Sequence, residues 1–430
     1  MQKNGKKLFS AQFWMICIAC FASGYALIGL NAVVAVFVRD LRYGTSLSGM
    51  LSTLFTVSAC VFRIAGGRAA DRFGRRNVTA TGAVILALGI FAYSHVTAVA
   101  WLIVFRIVQG AGFSLMSVGA STAFVDVIPP ERLGEGIGYS ALAGTVAGAL
   151  APSIGLALIA ASGYAAAFDS MAGLVLLAAV LTFALVNYER KEPYCSERRA
   201  ALDEVRRERR AAGRSPAAQL CRELFEKKAI PPALLQTFMG VGFAAANVFI
   251  ALFAVEKGYA HPGVYFTLMA VFAVLSRIVG GRWADRNRGG LCLYLGLALC
   301  IAAYFLLCAA PLEPVFYLSG ALYGFGNGLV MPILNRIAVV GVSPARRGAA
   351  TSTFTISTDI GTGIGSALWG VVIEQASFET CFLLTSLWLA VSVGGCFVFL
   401  RGQKKRAAAP AEGVPNSRSA AEINMREETT

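Results

Sequence analysis

Charged and amide side chains inside long apolar runs are where this chain could do chemistry. Asp359 lies ~16 Å beyond Gly348 at about 1.5 Å of helical rise per residue, deep within the run 347–375. A carboxylate in apolar surroundings is costly to ionise, so it must find a partner or exchange a proton. Both readings are open: a reversibly protonated group, or an ion pair that locks its helix to a neighbour. Four arginines also interrupt apolar runs: Arg63, Arg106, Arg277 and Arg336. A cation there is a functional candidate by default, although Arg106 could instead snorkel or bond backbone carbonyls. Arg63 and Arg277 occupy equivalent repeated positions, which favours a structural role near one membrane face over anion attraction. Asn31 and Asn247 sit mid-run in parallel stretches, Asn31–Phe37 and Asn247–Phe253. An unpaired amide there is expensive, so each bonds a neighbouring helix or contacts a substrate. Asn327, Asn335 and Arg336 add polarity to 314–340, whereas Asp169 and Glu374 fall near the outer surface and are expected only to line it.

The elements that must position these groups announce themselves by repetition. RIAGGRAADR, Arg63 to Arg72, returns as RIVGGRWADR, Arg277 to Arg286, at an offset of 214 with eight of ten positions identical. The register persists: Gly110 and Gly112 match Gly324 and Gly326, and Pro130, Arg132 and Gly134 match Pro344, Arg346 and Gly348. The chain is therefore two similar halves, a common build for a transporter. Of 430 residues, 57% are hydrophobic and 14% charged, against roughly 25% charged in soluble domains. Twelve apolar windows reach the length of a membrane helix: 9–38, 47–68, 77–95, 98–127, 134–161, 164–188, 230–256, 263–284, 291–310, 314–340, 347–375 and 378–400. Windows above 25 residues must tilt or protrude. None shows the apolar–polar alternation of a transmembrane β-barrel strand.

The net charge of +14 is a topology signal. Of 38 Lys and Arg, 31 fall in the N-terminus, the loops on one side, the 189–229 linker and the tail. Arg39, Arg42 and Lys257 alone fall in the opposite loops. The positive-inside bias then places both termini and the linker in the cytoplasm and disfavours nucleic acid as a partner. The linker, with twelve basic and eight acidic residues, reads as a solvated, partly helical tether; a regulatory or partner-binding role is the alternative. The tail 402–430 has disordered composition. Eight of ten cysteines lie in apolar windows without metal-ligand spacing, and Cys195 and Cys221 are expected to be reduced. The first apolar run is too long for a cleavable signal peptide.

The segment from Gly67 through Asp71, Arg72, Gly74, Arg75 and Arg76, with its second copy from Gly281 to Asp285 and Arg286, resembles the signature loop between helices 2 and 3 of the major facilitator superfamily. The resemblance implies an all-α integral membrane fold: twelve transmembrane helices in two pseudo-symmetric six-helix bundles, 1–188 and 230–401. It also implies a cytoplasmic latch in which Asp71 and Arg75 engage an acidic residue ending helix 4, matched here by Asp126. The latch residues are then Gly67, Asp71, Arg72, Gly74, Arg75, Asp126 and Asp285. The second copy departs from the pattern: Asn287 and Arg288 replace the Phe–Gly pair, and Val340 stands at the position of Asp126. That weakens any latch in the C-terminal half. Arg106-Ile-Val-Gln109-Gly110 is similar to the family element associated with proton coupling. Gly144 to Gly155, with Pro152, resembles the antiporter motif of drug/proton exporters, but Ala151 and Leu156 replace glycines. Helices 1, 4, 7 and 10 line the cavity in this family, which makes Asn31, Arg106, Gln109, Asn247, Asn327 and Arg336 the expected substrate-cavity residues and Asp359 and Arg106 the expected coupling groups.

The expectation is a non-enzymatic secondary transporter of the cell membrane, functional as a monomer, with no cofactor or metal and no nucleotide-binding motif. It would export a small organic solute, drug or metabolite, against protons. One alternative is proton-coupled import of a small organic anion, favoured by four intramembrane arginines. The other is a transport-inactive receptor that signals through its linker.

Overall fold

The computed structural model describes residues 10–128, 132–185, 225–285, 289–309, 312–339, 342 and 347–408. The readings of the linker to residue 224, of the tail from 409 and of residues 286–288 lie outside them. Every described regular element is helical: α1 Ala11–Asp40, α2 Thr45–Phe73, α3 Arg75–Phe91, α4 Val99–Val127, α5 Leu133–Leu185, α6 Ile230–Ala244, α7 Ile250–Glu256, α8 Gly263–Asp285, α9 Gly289–Ala309, α10 Glu313–Val339, α11 Arg347–Gln375 and α12 Phe378–Ala408. Nine described helical segments are long and apolar enough to cross a membrane. Large apolar side chains face outward, among them Leu88 at 63% and Val391 at 66% exposure, a surface that needs lipid.

Two sequence boundaries need a physical account. α5 runs through both the fifth and sixth apolar windows, and Gly163, at φ 85° and ψ −178°, is where it breaks. Only glycine tolerates that backbone, so the single residue separates the two arms. The seventh window is one helix in sequence but not in structure. A π turn over Ala245–Phe249 joins α6 to α7 and carries Asn247, whose Nδ2 donates to the Phe243 carbonyl at 3.0 Å. Such turns are rare, and nothing in an apolar pattern announces one.

Each half has its own core. Leu30, Phe55, Leu86, Tyr93 and Phe168 anchor the N-terminal one, and Phe253, Tyr265, Tyr304, Phe316 and Phe382 the C-terminal one. Within each half, small residues let corresponding helices meet closely. A Cβ on Gly24 of α1 would stand 3.5 Å from Gly144 Cα of α5; one on Gly240 of α6 would stand 3.0 Å from Gly361 Cα of α11. Gly144 of α5 and Gly361 of α11 therefore serve packing within each half.

The halves meet along α2 with α11, α5 with α8, and α1 with α7. The described polar contacts between them concentrate toward the far side, where the α1–α2 and α7–α8 turns lie. There Thr45 Oγ1 donates to the Gly370 carbonyl at 3.1 Å, and Arg39 stands 3.9 Å from Glu256. Ser153 Oγ donates to the Gly263 carbonyl at 2.8 Å, and Thr53 Oγ1 to that of Gly363 at 2.7 Å. The linker side carries the turn at Gly74.

Candidate functional site

Descending the α2–α11 seam from the far side, the deepest of these polar rungs is an ion pair. Arg63 Nη2 lies 2.9 Å from Asp359 Oδ2, with the two side chains 19% and 20% exposed. It joins the two halves at the depth where Asp359 is expected. This favours the ion-pair reading of Asp359 in the present state, and it moves Arg63 from the expected structural role near one membrane face to one on the seam. Equal depth alone was legible: Arg63 lies eleven residues before Gly74 and Asp359 eleven after Gly348, on helices running in opposite directions. The symmetry-related positions are Arg277 and Thr145, so the repeat does not supply a second carboxylate.

A second polar cluster ties the N-terminal half together. Arg106 and Gln109, three residues apart on α4, share one face of the helix. Arg106 Nη1 donates to Gln109 Oε1 at 3.0 Å, and Nη2 to Asn31 Oδ1 of α1 at 2.7 Å. Gln109 Nε2 donates to the Gly89 carbonyl of α3 at 2.8 Å, and the guanidinium lies 4.9 Å from the centroid of the Phe55 ring on α2. One cation thus bonds or stacks on three neighbours, and together with Gln109 it links four helices. Arg106 and Gln109 are 0% exposed and Asn31 is 7% exposed. No described carboxylate bonds Arg106; amide oxygens and a ring face receive its charge.

The remaining expected residues are dispersed. Asn247 is buried in the π turn, Asn327 half-buried on α10, and Arg336 exposed near the linker-side end of the same helix. The position equivalent to Arg106 is Gly320, which packs against the Tyr265 ring, so the C-terminal half has no counterpart of the arginine cluster.

At the linker-side turn, Gly74 adopts φ 97° and ψ 144° and reverses the chain between α2 and α3. Arg75 forms an ion pair with Asp126 at the end of α4. Both belong to the N-terminal half, so the pair braces that half and does not itself cross the seam. Arg72 lies over the Phe73 ring at 5.2 Å, and a Cβ on Gly67 would meet no atom within 4 Å. The side chains of Asp71 and Asp285 lie outside the described residues.

Glu374 does more than line the surface. Its Oε2 accepts from the backbone N–H of Ser46 at 2.7 Å, from the other half of the protein. No sequence signal distinguishes it from other rim carboxylates, because its partner is a backbone group 328 residues away.

Two related helical halves that meet along a seam of small, polar and charged residues define a membrane transporter. The chain belongs to the Major Facilitator Superfamily, whose family model matches residues 15–342 and 294–426. It is 22% identical to the staphylopine export protein of Staphylococcus aureus, covering 84% of this chain and 90% of that one. An uncharacterized MFS-type transporter of Burkholderia pseudomallei is 25% identical, with 90% and 92% covered. Among solved structures, a bacterial homolog of the human lysosomal transporter Spinster, inward-facing and unoccupied, aligns with a TM-score of 0.75 at 15% identity. That alignment covers 95% of this chain and 100% of the other. A mutant of the nucleoside transporter NupG aligns at 0.72 and 14% identity, with 90% and 99% covered.

Proposed function

We propose that this protein exports a small organic solute in exchange for protons by alternating access, with Asp359 as the proton-carrying group. The observation that supports this reading is the Arg63–Asp359 pair on the seam between the halves. With the far side closed, the carboxylate has its cation. Opening the far side separates α2 from α11 and takes the cation away from Asp359, which makes the neutral acid cheaper than it is in the pair. A proton then enters from the outer compartment, and closure brings Arg63 back and drives it off toward the linker side. That order carries protons inward, and the exchange proposed here has solute leaving in the opposite half-cycle. The relative named as a staphylopine exporter supports the outward direction.

The frame of this proposal is twelve spans in two six-helix bundles of a monomer, with both termini and the linker cytoplasmic in the cell membrane. Asn31, Arg106, Gln109, Asn247, Asn327 and Arg336 belong to the substrate pathway, Arg106 by holding α1 to α4. Gly67, Asp71, Arg72, Gly74, Arg75, Asp126 and Asp285 form the linker-side latch, to which the Arg75–Asp126 pair belongs.

The test uses proteoliposomes that hold a pH-sensitive dye and the purified protein. A solute library added under an imposed pH gradient should include compounds whose movement drives proton flow in the opposite direction. Proton flow in the same direction as the solute would replace the exporter by the anion importer. Solute movement with no proton flow at all would remove Asp359 from its assigned role.

A further inference from the structure

α2 begins at Thr45, and its N-cap residue, Gly44, offers the exposed N–H groups of the first turn no side-chain acceptor. A helix start left this way loses a stabilising bond that Ser, Thr, Asp or Asn would normally supply. The bond is supplied by Glu374 at the end of α11, in the other half of the molecule, whose Oε2 accepts from the Ser46 amide at 2.7 Å. An anionic carboxylate also complements the partial positive charge of a helix N-terminus. Gly44 gives an independent indication. Its backbone, φ −67° and ψ 160°, accepts any residue, yet a Cβ built there would overlap the Glu374 carboxylate. A side chain at position 44 would have to push the Glu374 carboxylate aside. Directly below, Thr45 Oγ1 donates to the Gly370 carbonyl at 3.1 Å, and a Cβ on Gly49 would overlap the Ser366 carbonyl.

We infer that Glu374 is a cap supplied across the seam, which holds the far side of the transporter closed by completing α2. The cap exists only while the halves touch there. Opening the far side uncaps α2, so the integrity of the helix start is coupled to gate closure. Closing is one step of the transport cycle proposed above, and in that sense the inference rests on that reading. The cap itself needs neither substrate nor proton gradient.

The experiment uses the full-length protein in nanodiscs without substrate. Genetically encoded fluorophores at Tyr43 and Ser377 report the closed fraction by single-molecule energy transfer, and hydrogen exchange reports the Ser46 region. Glu374→Ala should lower the closed-to-open ratio about tenfold and raise exchange in the first turn of α2 by a similar factor. Glu374→Gln, which keeps the acceptor and loses the charge, should lower the ratio only about threefold. The double variant Glu374→Ala with Gly44→Ser separates a gate from a local helix defect: serine should restore slow exchange in α2 without restoring closure. An unchanged closed fraction in Glu374→Ala overturns the inference, as does full recovery of closure in the double variant. Because no solute is present, failure of the proton-exchange reading in proteoliposomes leaves this outcome independent.

Discussion

At the scale of single residues, the two polar clusters have different logic. Arg106 is a cation with neutral partners, so its role within the N-terminal half depends on geometry, on two acceptors held at the right distance by α1 and α4. Arg106→Lys keeps the charge but cannot reach Asn31 and Gln109 together; it should cost about 1–3 kcal/mol, read as a lower unfolding temperature in detergent. Asn31→Leu combined with Arg106→Lys should cost less than the sum of the single changes, since both remove the same bond. Full additivity would show that the contact carries no coupling. The bond from Arg106 to Gln109 could be read from their three-residue spacing, whereas Asn31, 75 positions away, could be joined to them only by the fold.

At the scale of helices, the apolar windows placed most elements because membrane thickness dictates their length. The Gly163 break fell between the windows ending at 161 and starting at 164, while the π turn at Asn247 left no mark in hydropathy. Glycines on α2 and α11 separate two kinds of contact. Gly361 lies against the Thr237 carbonyl inside the C-terminal half, and Gly49 against the Ser366 carbonyl across the seam. Gly361→Ala should therefore destabilise the fold, by about 1–3 kcal/mol for overpacking. Gly49→Ala should leave thermal stability nearly unchanged but hinder far-side closure and slow solute turnover. Equal loss of stability in both variants would mean that the seam is as rigid as the packing within a half. Gly74→Ala belongs to the first kind: a φ of 97° strains any residue with a side chain, at roughly 1–3 kcal/mol.

At the scale of the whole molecule, duplication sets the frame and departures from symmetry carry the mechanism. The repeated Arg63 and Arg277 could be read from the sequence at once, and so could the solitary Asp359. Their relation could not, because pairing requires knowing which helix of one half meets which helix of the other. Once α2 faces α11, equal depth makes Arg63 and Asp359 partners, and the half with the arginine cluster meets the half with the carboxylate. The central claim is that this pair couples solute movement to protons. Its most direct measurement compares two modes of transport by Asp359→Asn in proteoliposomes. The account predicts that solute exchange across a membrane without a pH gradient survives, while gradient-driven accumulation is lost. Accumulation by Asp359→Asn at the rate of the unsubstituted protein would contradict it.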